Sequence, residues 1–448
     1  MKNKNTMFVC NNCGNEFSRW LGKCESCGEW NTLKEVAAKD MEVVKEIEKR
    51  GEYKVGNLAK LSDANFEGER FLSKIEEWDR VLGGGMVRGS LILIGGEPGI
   101  GKSTLMVQVA DALTRDGKKV LYVSGEESLA QVGGRAKRLG TKTEDIDFLD
   151  SVWLENIEKI AVGKKYGLMI IDSVQTLVSS QLGGSLGSMA QIRYCVARLM
   201  QLAKKENLII LLVGHVTKDG EVAGPRVLEH LVDVVLFFEG ERTEELRVLR
   251  VFKNRFGATD ETGVFVMTET GLKSVVDVSK QFLKERKTGV PGSVVCVAME
   301  GTRPFLIEIQ AIVDRTQFGN PRRTSVGVDL ARLSMLLAVL GKRAKINIYD
   351  KDVYVNVVGG FKLKDRSTDL GVVMAISSVV LDKPISPEVA VFGELGLLGE
   401  IRRVKSMDKR IMEAKKMGFQ KIYGPSIEKR YENFWQVDNI GNIIAEIF

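Results

Sequence analysis

The sequence predicts an α/β protein in three parts, and three observations support this prediction. Two C-x-x-C pairs near the amino terminus are separated by ten residues, a spacing typical of a small metal-binding module. A glycine-rich loop then joins an apolar strand to an apolar helix, and further buried strands alternate with helices after it. A second series of strands and helices begins near Gly289. Alternation of this kind favours a parallel sheet with helices on both faces.

The length and composition indicate a globular protein of several domains. The chain has 448 residues, and typical domains have about 150, so we expect about three domains. It is 44% hydrophobic and 28% charged, the mixture of a globular protein in water. No apolar run is long enough to span a membrane and no apolar leader precedes Cys10, so we expect a cytoplasmic protein without membrane association. The formal charge of +6 permits nucleic-acid binding but does not argue for it.

The first part, residues 1–33, is predicted to be a Cys₄ zinc finger. A glycine follows each C-x-x-C pair and allows a tight turn in which backbone N–H groups point at sulfur. Four thiolates complete a tetrahedral Zn²⁺ site, so the metal is expected to be structural. Thiols without metal, or disulfides, are the alternative, which a cytosolic location disfavours. The predicted metal ligands are Cys10, Cys13, Cys24 and Cys27.

Three aromatic residues of this module, Phe17, Trp20 and Trp30, are expected to form its small core. A platform on which nucleic-acid bases stack is the alternative. Residues 34–65 are rich in charge and lack a clean apolar period, so they are predicted to be a linker.

The second part, residues 66–275, contains the loop that follows strand Leu91–Ile94. The loop fits the pattern G-x-x-x-x-G-K-[ST] without a mismatch, in the strand-loop-helix context that a phosphate-binding loop requires. Glycines let backbone N–H groups approach phosphates closely, the lysine reaches the terminal phosphates, and the serine hydroxyl binds Mg²⁺. We therefore expect ATP and Mg²⁺ as ligands. The predicted binding residues are Gly96, Glu97, Pro98, Gly99, Ile100, Gly101, Lys102, Ser103 and Thr104.

Three more apolar runs are predicted to be buried strands of the same sheet. The run Val120–Ser124 is followed by Glu126 and Glu127. The run Leu168–Asp172 ends in an acid, as a Walker B strand does, because this strand holds a carboxylate beside Mg²⁺. The third run begins at Leu208 and leads to His215, one of two histidines in the chain.

Four segments, read together behind a Cys₄ module, resemble one protein family. They are DRVLGGGMVRGSLILIGGEPGIGKSTLMVQ, YVSGEES, LMIIDSVQT and VFKNRFG. The chain is similar to RadA/Sms, a family of bacterial RecA-like recombination and repair ATPases related to DnaB-type helicases, and the likeness spans nearly the whole chain. The resemblance implies a DNA-dependent ATPase that binds single-stranded and branched DNA and drives branch migration or unwinding as a ring motor. It also implies a homo-hexamer and the RecA recombinase as a partner.

The resemblance further implies roles for residues of the ATPase part. Glu126 occupies the position of the carboxylate that activates the attacking water, with Glu127 as the adjacent alternative, and Asp172 is the Walker B acid. His215 lies where RecA-like proteins have a sensor of the γ-phosphate, although a buried structural histidine is the alternative. Lys253 and Arg255, in the KNRFG segment, are expected to act on the nucleotide of a neighbouring subunit.

Two glycine-rich segments correspond to the DNA loops of RecA-like proteins. They are residues 181–188 and 217–226, and only Lys218 and Arg226 are basic among them. Surface loops without a DNA role are therefore the alternative.

The third part, residues 289–448, follows a connector at residues 276–288 and resembles the peptidase domain of Lon. The segment GGFKLKDRSTDLG falls at the Lon serine loop, with Ser367 or Thr368 near the nucleophile position. Asp408 stands where the general-base lysine is expected, so we predict a scaffold without peptidase activity. The basic helix at residues 405–416 is expected to be a solvated face, with a DNA-facing rim as the alternative.

Two other classes of function share parts of this organisation. An ATP-dependent protease would use the Lon-like domain, and Asp408 opposes it. A nucleotide-switched assembly ATPase of the KaiC type would share the ATPase core and need no DNA.

Overall fold

The fold is described from a computed structural model. It describes residues 6–10, 16–17, 19–25, 28–37, 70–183, 185–214, 228–240, 246–317, 319–359 and 363–448. The contacts within the chain divide it into two compact units. The first consists of residues 1–239, 248–259 and 267–273, and the second of residues 240–247, 260–266 and 274–448. The predicted linker, residues 34–65, lies outside the described residues from residue 38 onward.

A small antiparallel sheet forms near the amino terminus. Its strands are β1 (Thr6–Cys10), β2 (Glu16–Phe17) and β3 (Leu33–Ala37), with β1 in the centre. A two-stranded antiparallel ribbon, β4 (Arg70–Phe71) and β5 (Met86–Val87), then flanks helix α1 (Glu76–Val81).

A nine-stranded sheet has the order β14-β13-β12-β11-β6-β10-β9-β7-β8. Its strands are β6 (Leu91–Gly96), β7 (Val120–Ser124), β8 (Ile146–Asp150), β9 (Leu168–Asp172), β10 (Ile209–Val213), β11 (Val234–Glu239), β12 (Leu246–Asn254), β13 (Thr262–Thr268) and β14 (Gly271–Ser274). The six strands from β11 to β8 in this order are parallel, as predicted, whereas β12 pairs antiparallel with β11. The antiparallel strand was not predicted, because a parallel edge and an antiparallel edge have similar apolar runs.

Helices of the first unit cover the parallel strands. They are α2 (Lys102–Arg115), α3 (Leu129–Leu139), α4 (Leu154–Gly163) and α5 (Met189–Glu206). Residues of β6, β7, β9 and β10 are buried throughout, because both faces of these strands meet helices. One apolar cluster joins these strands to α4 and α5. The rigid sheet therefore fixes the carboxyl ends of its central strands, where the candidate site lies.

Local signals explain where the helices begin and end. Ser128 caps α3 in a capping box with Gln131, and Gly140 ends the helix in a left-handed conformation. The Ser188 side chain caps α5 by accepting from the backbone N–H of Gln191, and Asn207 ends the helix in a left-handed conformation.

The second unit contains a seven-stranded sheet in the order β17-β18-β16-β15-β19-β22-β23. Pairs β15–β16 and β16–β18 are antiparallel, and the other pairs are parallel. Strands β20 and β21 form a separate ribbon. The strands are β15 (Ser293–Glu300), β16 (Arg303–Arg315), β17 (Arg323–Val326), β18 (Lys351–Val357), β19 (Val389–Val391), β20 (Glu394–Leu395), β21 (Ile401–Arg402), β22 (Lys421–Gly424) and β23 (Phe434–Gln436).

Five helices lie in the part of this unit that the structure describes. They are α6 (Val278–Leu283), α7 (Leu330–Arg343), α8 (Asp369–Leu381), α9 (Met407–Lys416) and α10 (Ile440–Ile447). Helix α8 is apolar around most of its circumference and buried over its first ten residues. Among the described helices of the chain, none combines the length and apolar character needed to cross a bilayer.

Candidate active site

The predicted phosphate-binding loop connects β6 to α2. Gly101, the residue before the helix, has φ of +114°, a conformation that glycine adopts without strain. The Lys102 side chain is buried, and its ammonium donates hydrogen bonds to the carbonyl oxygens of Gly96 at 2.7 Å and Glu97 at 2.9 Å. Burial lowers the pKa of Lys102 to about 8, although Asp172 and Glu126 act in the opposite direction. The loop therefore encloses the Lys102 ammonium, whose protonation depends on its burial and on the charges beside it.

Asp172 ends strand β9, beside the beginning of α2. Its carboxylate accepts a hydrogen bond from the Tyr122 hydroxyl at 3.0 Å, and the side chain of Ser103 is also bonded to it. Burial raises the pKa of Asp172, and the bonds from Ser103 and Tyr122 partly offset this effect. The structure thus brings together the hydroxyl and the carboxylate that were predicted, far apart in sequence, as Mg²⁺ ligands.

Glu126 lies just beyond the end of β7, next to β9. The buried hydroxyl of Ser173 donates a hydrogen bond to the Glu126 carboxylate. The close approach of the two strand ends depends on Gly125, because a Cβ there would lie 2.2 Å from Oγ1 of Thr176. Ser173 was not identified from the sequence, although its place directly after the Walker B acid was a usable signal.

Glu127 has a different environment from Glu126. Arg135 on α3 forms a bidentate ion pair with it, with both N–O distances 2.6 Å. The hydrogen bonds from Arg135 hold the pKa of Glu127 below its ordinary value despite partial burial. Glu127 is therefore engaged in an ion pair with Arg135, and Glu126 is the one of the two glutamates that acts on Lys102, whereas both act on Asp172.

A cavity of about 400 Å³ opens beside the first turn of α2. Its lining includes Thr104, Arg138, Leu139, Met267 and Gly271. The lining combines apolar side chains with Arg138 and the acidic Glu269, and such a mixture beside a phosphate loop is compatible with a nucleobase. Of these residues, only Thr104 was predicted, because the others come from distant segments.

Lys253 and Arg255, which are predicted to act on the nucleotide of a neighbouring subunit, lie at the opposite end of β6. Arg255 pairs with Asp233 at 3.3 Å, and the other carboxylate oxygen of Asp233 accepts from the backbone N–H of Leu91 at 3.1 Å. The phosphate loop begins at Gly96, about 16 Å further along this strand. The ammonium of Lys253 donates to backbone carbonyls of Glu229 and Val232 in its own chain, whereas the Arg255 side chain is half exposed.

Comparisons with known proteins agree with this geometry. Three family models match parts of the chain: an AAA domain over residues 58–221, a rubredoxin metal binding domain over residues 8–35, and subunit ChlI of Mg-chelatase over residues 333–427. The chain is 44% identical to DNA repair protein RadA of Bacillus subtilis, over 95% of this chain and 93% of that protein. The identity is 44% for RadA of Listeria monocytogenes, over 97% and 94% of the two chains, and 46% for RadA of Streptococcus pyogenes, over 95% and 93%.

The chain belongs to the RadA family. Its AAA domain includes the phosphate loop and Asp172, so this member of the family is an ATPase. The predicted fold class, a metal-binding module followed by an ATPase domain and a second α/β domain, is confirmed.

Several predicted site residues lie outside the described residues. They are Cys13, Cys27, His215 and the segment 217–226. The other predicted DNA segment, residues 181–188, is described except for residue 184, and its chain is largely exposed before α5.

The amino-terminal module contains two described cysteines in one buried cluster. Cys10 and Cys24 pack with Leu33, and neither forms a disulfide. Backbone groups arrange the turn around Cys24, since its carbonyl accepts from Gly28 at 2.9 Å and its N–H donates to Glu29 at 2.8 Å. Two buried thiols in one cluster are a suitable half of a tetrahedral thiolate site for a soft metal ion.

The predicted core of this module is partly wrong. Phe17 packs against the cluster with Phe8 and Leu21, as predicted. Trp20 and Trp30 instead have 55% and 68% of their surface exposed. The small core is filled without them, so their spacing in sequence did not indicate burial.

The predicted alignment around Ser367 also needs a correction. Asp408 does not face Ser367, because its carboxylate accepts from the Tyr431 hydroxyl. The residue that reaches Ser367 is Arg410, which was predicted to be solvated but is 1% exposed. Asp408 and Arg410 are two positions apart in α9, a rotation of about 200°, so their side chains leave opposite sides of the helix.

Arg410 completes a buried polar cluster. Its guanidinium donates to the Ser367 hydroxyl at 2.6 Å and to the Val297 carbonyl at 2.7 Å, and it pairs with Asp365 at 2.8 Å. The Ser367 hydroxyl in turn donates to Asp365 at 2.6 Å. Burial would raise the pKa of Asp365, but Arg410 and Ser367 outweigh it and hold this pKa below its ordinary value. No described group near Ser367 can act as a base toward its hydroxyl other than the paired Asp365.

Proposed function

We propose that this protein is a DNA-repair ATPase that binds single-stranded and branched DNA and uses ATP to drive branch migration or unwinding as a homo-hexameric ring. The observation that carries the proposal is the convergence of Lys102, Asp172 and Glu126 at the carboxyl ends of parallel strands of one sheet, β6, β9 and β7. The relatives named DNA repair protein RadA support DNA as the substrate class. The RecA recombinase as partner and a cytoplasmic location belong to the same proposal.

Each group near the phosphate loop has a definite proposed task. The backbone of residues 96–101 and the Lys102 ammonium bind the phosphates of ATP, and the cavity beside Thr104 takes the base. Ser103 and Asp172 hold Mg²⁺, which supplies positive charge to the phosphate oxygens. Glu126 orients and deprotonates the attacking water. Glu127 is the weaker candidate for this task, because Arg135 occupies both of its oxygens.

The position of Arg255 supports action between subunits. The residue lies at the amino end of β6, whereas the phosphates of its own chain would bind beyond the carboxyl end. An arginine side chain is far shorter than the ~16 Å length of the strand. This distance supports the proposal that Arg255 serves a neighbour's nucleotide, while Lys253, which binds carbonyls of its own chain, is proposed to support the turn.

The amino-terminal module is proposed to hold Zn²⁺ through Cys10, Cys13, Cys24 and Cys27. The buried pair Cys10 and Cys24 fits this assignment. Cys10→Ser should lose the metal, as metal analysis of the purified chain would show. One equivalent of zinc retained by this variant would contradict the ligand set.

An ATP-dependent protease is disfavoured by the buried cluster around Ser367. The Ser367 hydroxyl that a peptidase would need as nucleophile is buried, and the carboxylate that accepts its proton, Asp365, is a weak base because Arg410 and Ser367 hold the pKa of Asp365 below its ordinary value. We therefore expect no casein cleavage during ATP turnover.

The proposal is tested by ATP hydrolysis assays of the full chain with and without single-stranded DNA, alongside a casein digest. We expect single-stranded DNA to stimulate ATP hydrolysis by the full chain and this hydrolysis to be lost in Lys102→Ala. Casein should remain undigested. Hydrolysis that DNA does not change would refute the DNA motor and favour a switch ATPase. Casein degradation that requires ATP would favour the protease.

A further inference from the structure

Two exposed indole rings meet over one glycine of the amino-terminal module. A methyl group on Gly22 would lie 3.7 Å from Cη2 of Trp20 and 3.8 Å from Cζ3 of Trp30. The two six-membered rings therefore border the same small space above the backbone. The rings are 55% and 68% exposed, which is unusual for the two largest side chains of so small a module.

The backbone holds this arrangement in place. Lys23 and Trp30 form an antiparallel bridge, and the N–H of Asn31 donates to the carbonyl of Gly22 at 2.8 Å. The bridge ties the strand segment that carries Trp20 and Gly22 to the one that carries Trp30. The buried cluster of Cys10, Cys24 and Leu33 lies within the same module.

The groups around the two rings indicate whether a protein or a nucleic acid binds there. A protein partner usually needs a contiguous apolar patch, yet these two are the only large exposed apolar side chains described between residues 6 and 37. The Lys23 ammonium lies 5.7 Å from the ring centroid of Trp30 and could meet a phosphate, and Arg19 is exposed next to Trp20. Exposed aromatic rings beside isolated cations are suited to bases of single-stranded nucleic acid.

We infer that Trp20 and Trp30 form a stacking platform for unpaired DNA bases, with Lys23 contacting the backbone of the same strand. The inference rests on the proposed function, since it assigns a second DNA contact to the same motor. The exposed acids Glu25 and Glu29 balance Lys23 and Arg19 in charge, so stacking rather than phosphate attraction supplies the affinity. Binding at the platform should depend on the presence of bases and only weakly on salt.

The test compares the full chain with Trp20→Ala and Trp30→Ala in binding to oligothymidylate and to an abasic strand of equal length, measured by fluorescence anisotropy. Loss of one stacked base corresponds to about tenfold weaker binding of oligothymidylate. Abasic-strand binding should not change, and Trp20→Phe should retain most of the affinity because it keeps an aromatic face. Trp153→Ala, at another exposed tryptophan, is the matched control. Metal content and melting temperature establish that each variant is folded.

The outcomes separate the platform from the motor. DNA-stimulated ATP hydrolysis by the unmodified chain judges the motor, and the difference between the tryptophan variants and Trp153→Ala judges the platform. Equal affinity of all variants for oligothymidylate would overturn the platform alone, as would equal loss on both strands. An unmodified chain that binds no DNA would overturn both. Variants that keep DNA affinity but lose a defined protein partner would assign the rings to protein docking instead.

Discussion

Two adjacent glutamates after β7 have different neighbours, and this difference supports the proposal that Glu126 rather than Glu127 acts on water. Glu126 accepts from Ser173, whereas Glu127 is held by Arg135. The sequence left the two open, because their partners are distant along the chain and no local pattern connects them. The phosphate loop, in contrast, was predicted residue by residue, since its spacing is local.

We expect Ser173→Ala to lower kcat for ATP about tenfold with little change in KM, because the variant loses a hydrogen bond to a charged group that orients the base. Ser173→Thr should restore most of the rate, since it keeps the hydroxyl. Steady-state kinetics would measure both.

Glu126→Gln should bind ATP but hydrolyse it very slowly, and a larger defect in Glu127→Gln would show that the assignment is shifted by one residue.

ATP binding is expected to take up protons above pH 8. Burial lowers the pKa of Lys102 to about 8 without nucleotide, and bound phosphate favours its charged form. At a pH about half a unit above this pKa, roughly three quarters of the Lys102 side chains are unprotonated. ATP binding should then take up roughly three quarters of a proton per site. Calorimetry in buffers of different ionisation enthalpy would detect it. Lys102→Arg should show no such uptake, because guanidinium stays charged at this pH, and uptake unchanged in this variant would exclude Lys102 as its source.

Helix α3 illustrates the limits of prediction at the level of one element. Its capping box and terminal glycine are readable from the sequence, but the space beneath it is not. A cavity of about 470 Å³ lies there, lined by residues that include Val107, Tyr122, Val132, Gly133 and Phe148. No atom lies within 4 Å of a Cβ added at Gly133.

Gly133→Ala should therefore stabilise the protein by about 0.5–1 kcal/mol, because alanine lowers the entropic cost of forming the helix and meets no obstacle. Gly125→Ala is the matched contrast, since its Cβ would lie 2.2 Å from Thr176. Thermal melts should show a higher transition temperature for the first variant and a lower one for the second. A lower temperature for both would mean that the cavity beneath α3 is not available to a side chain.

Helix α9 carries a buried cation that the sequence presented as one of several surface charges. Arg410→Met should destabilise the second unit by about 3–5 kcal/mol, because it leaves Asp365 buried without its partner. Arg403→Met is the control, since Arg403 is exposed and its ion pair with Glu428 is long, at 4.0 Å. Chemical denaturation would compare the two, and equal small losses would show that the Asp365 pair contributes little.

At the scale of the whole molecule, the order of its parts was predictable because each part has a local signature. The central strands β6, β7, β9 and β10 are continuous apolar runs, and the structure confirms them. The antiparallel additions and the exposure of Trp20 and Trp30 depend on which surfaces meet in space. Such pairings are not visible in a single sequence.

Mixing two inactive variants tests assembly. Lys102→Ala and Arg255→Ala should each hydrolyse ATP slowly, because every interface lacks one half of the site. In mixed rings, an Arg255→Ala subunit with an intact loop receives Arg255 from a Lys102→Ala neighbour, so hydrolysis should recover. DNA-stimulated hydrolysis at several ratios would measure it, with subunit exchange followed by fluorescence transfer. Confirmed mixed rings without recovery would contradict the trans assignment.

The separation of Arg255 from its own phosphate loop has a consequence for dilute protein. If each nucleotide needs the phosphate loop of one chain and Arg255 of the next, a solitary chain binds ATP but does not hydrolyse it. The rate per chain then rises with protein concentration more steeply than linearly, until rings dominate. A cell could thus hold the protein idle at low abundance without any inhibitor, and a modest rise in synthesis after damage would switch on turnover by mass action alone.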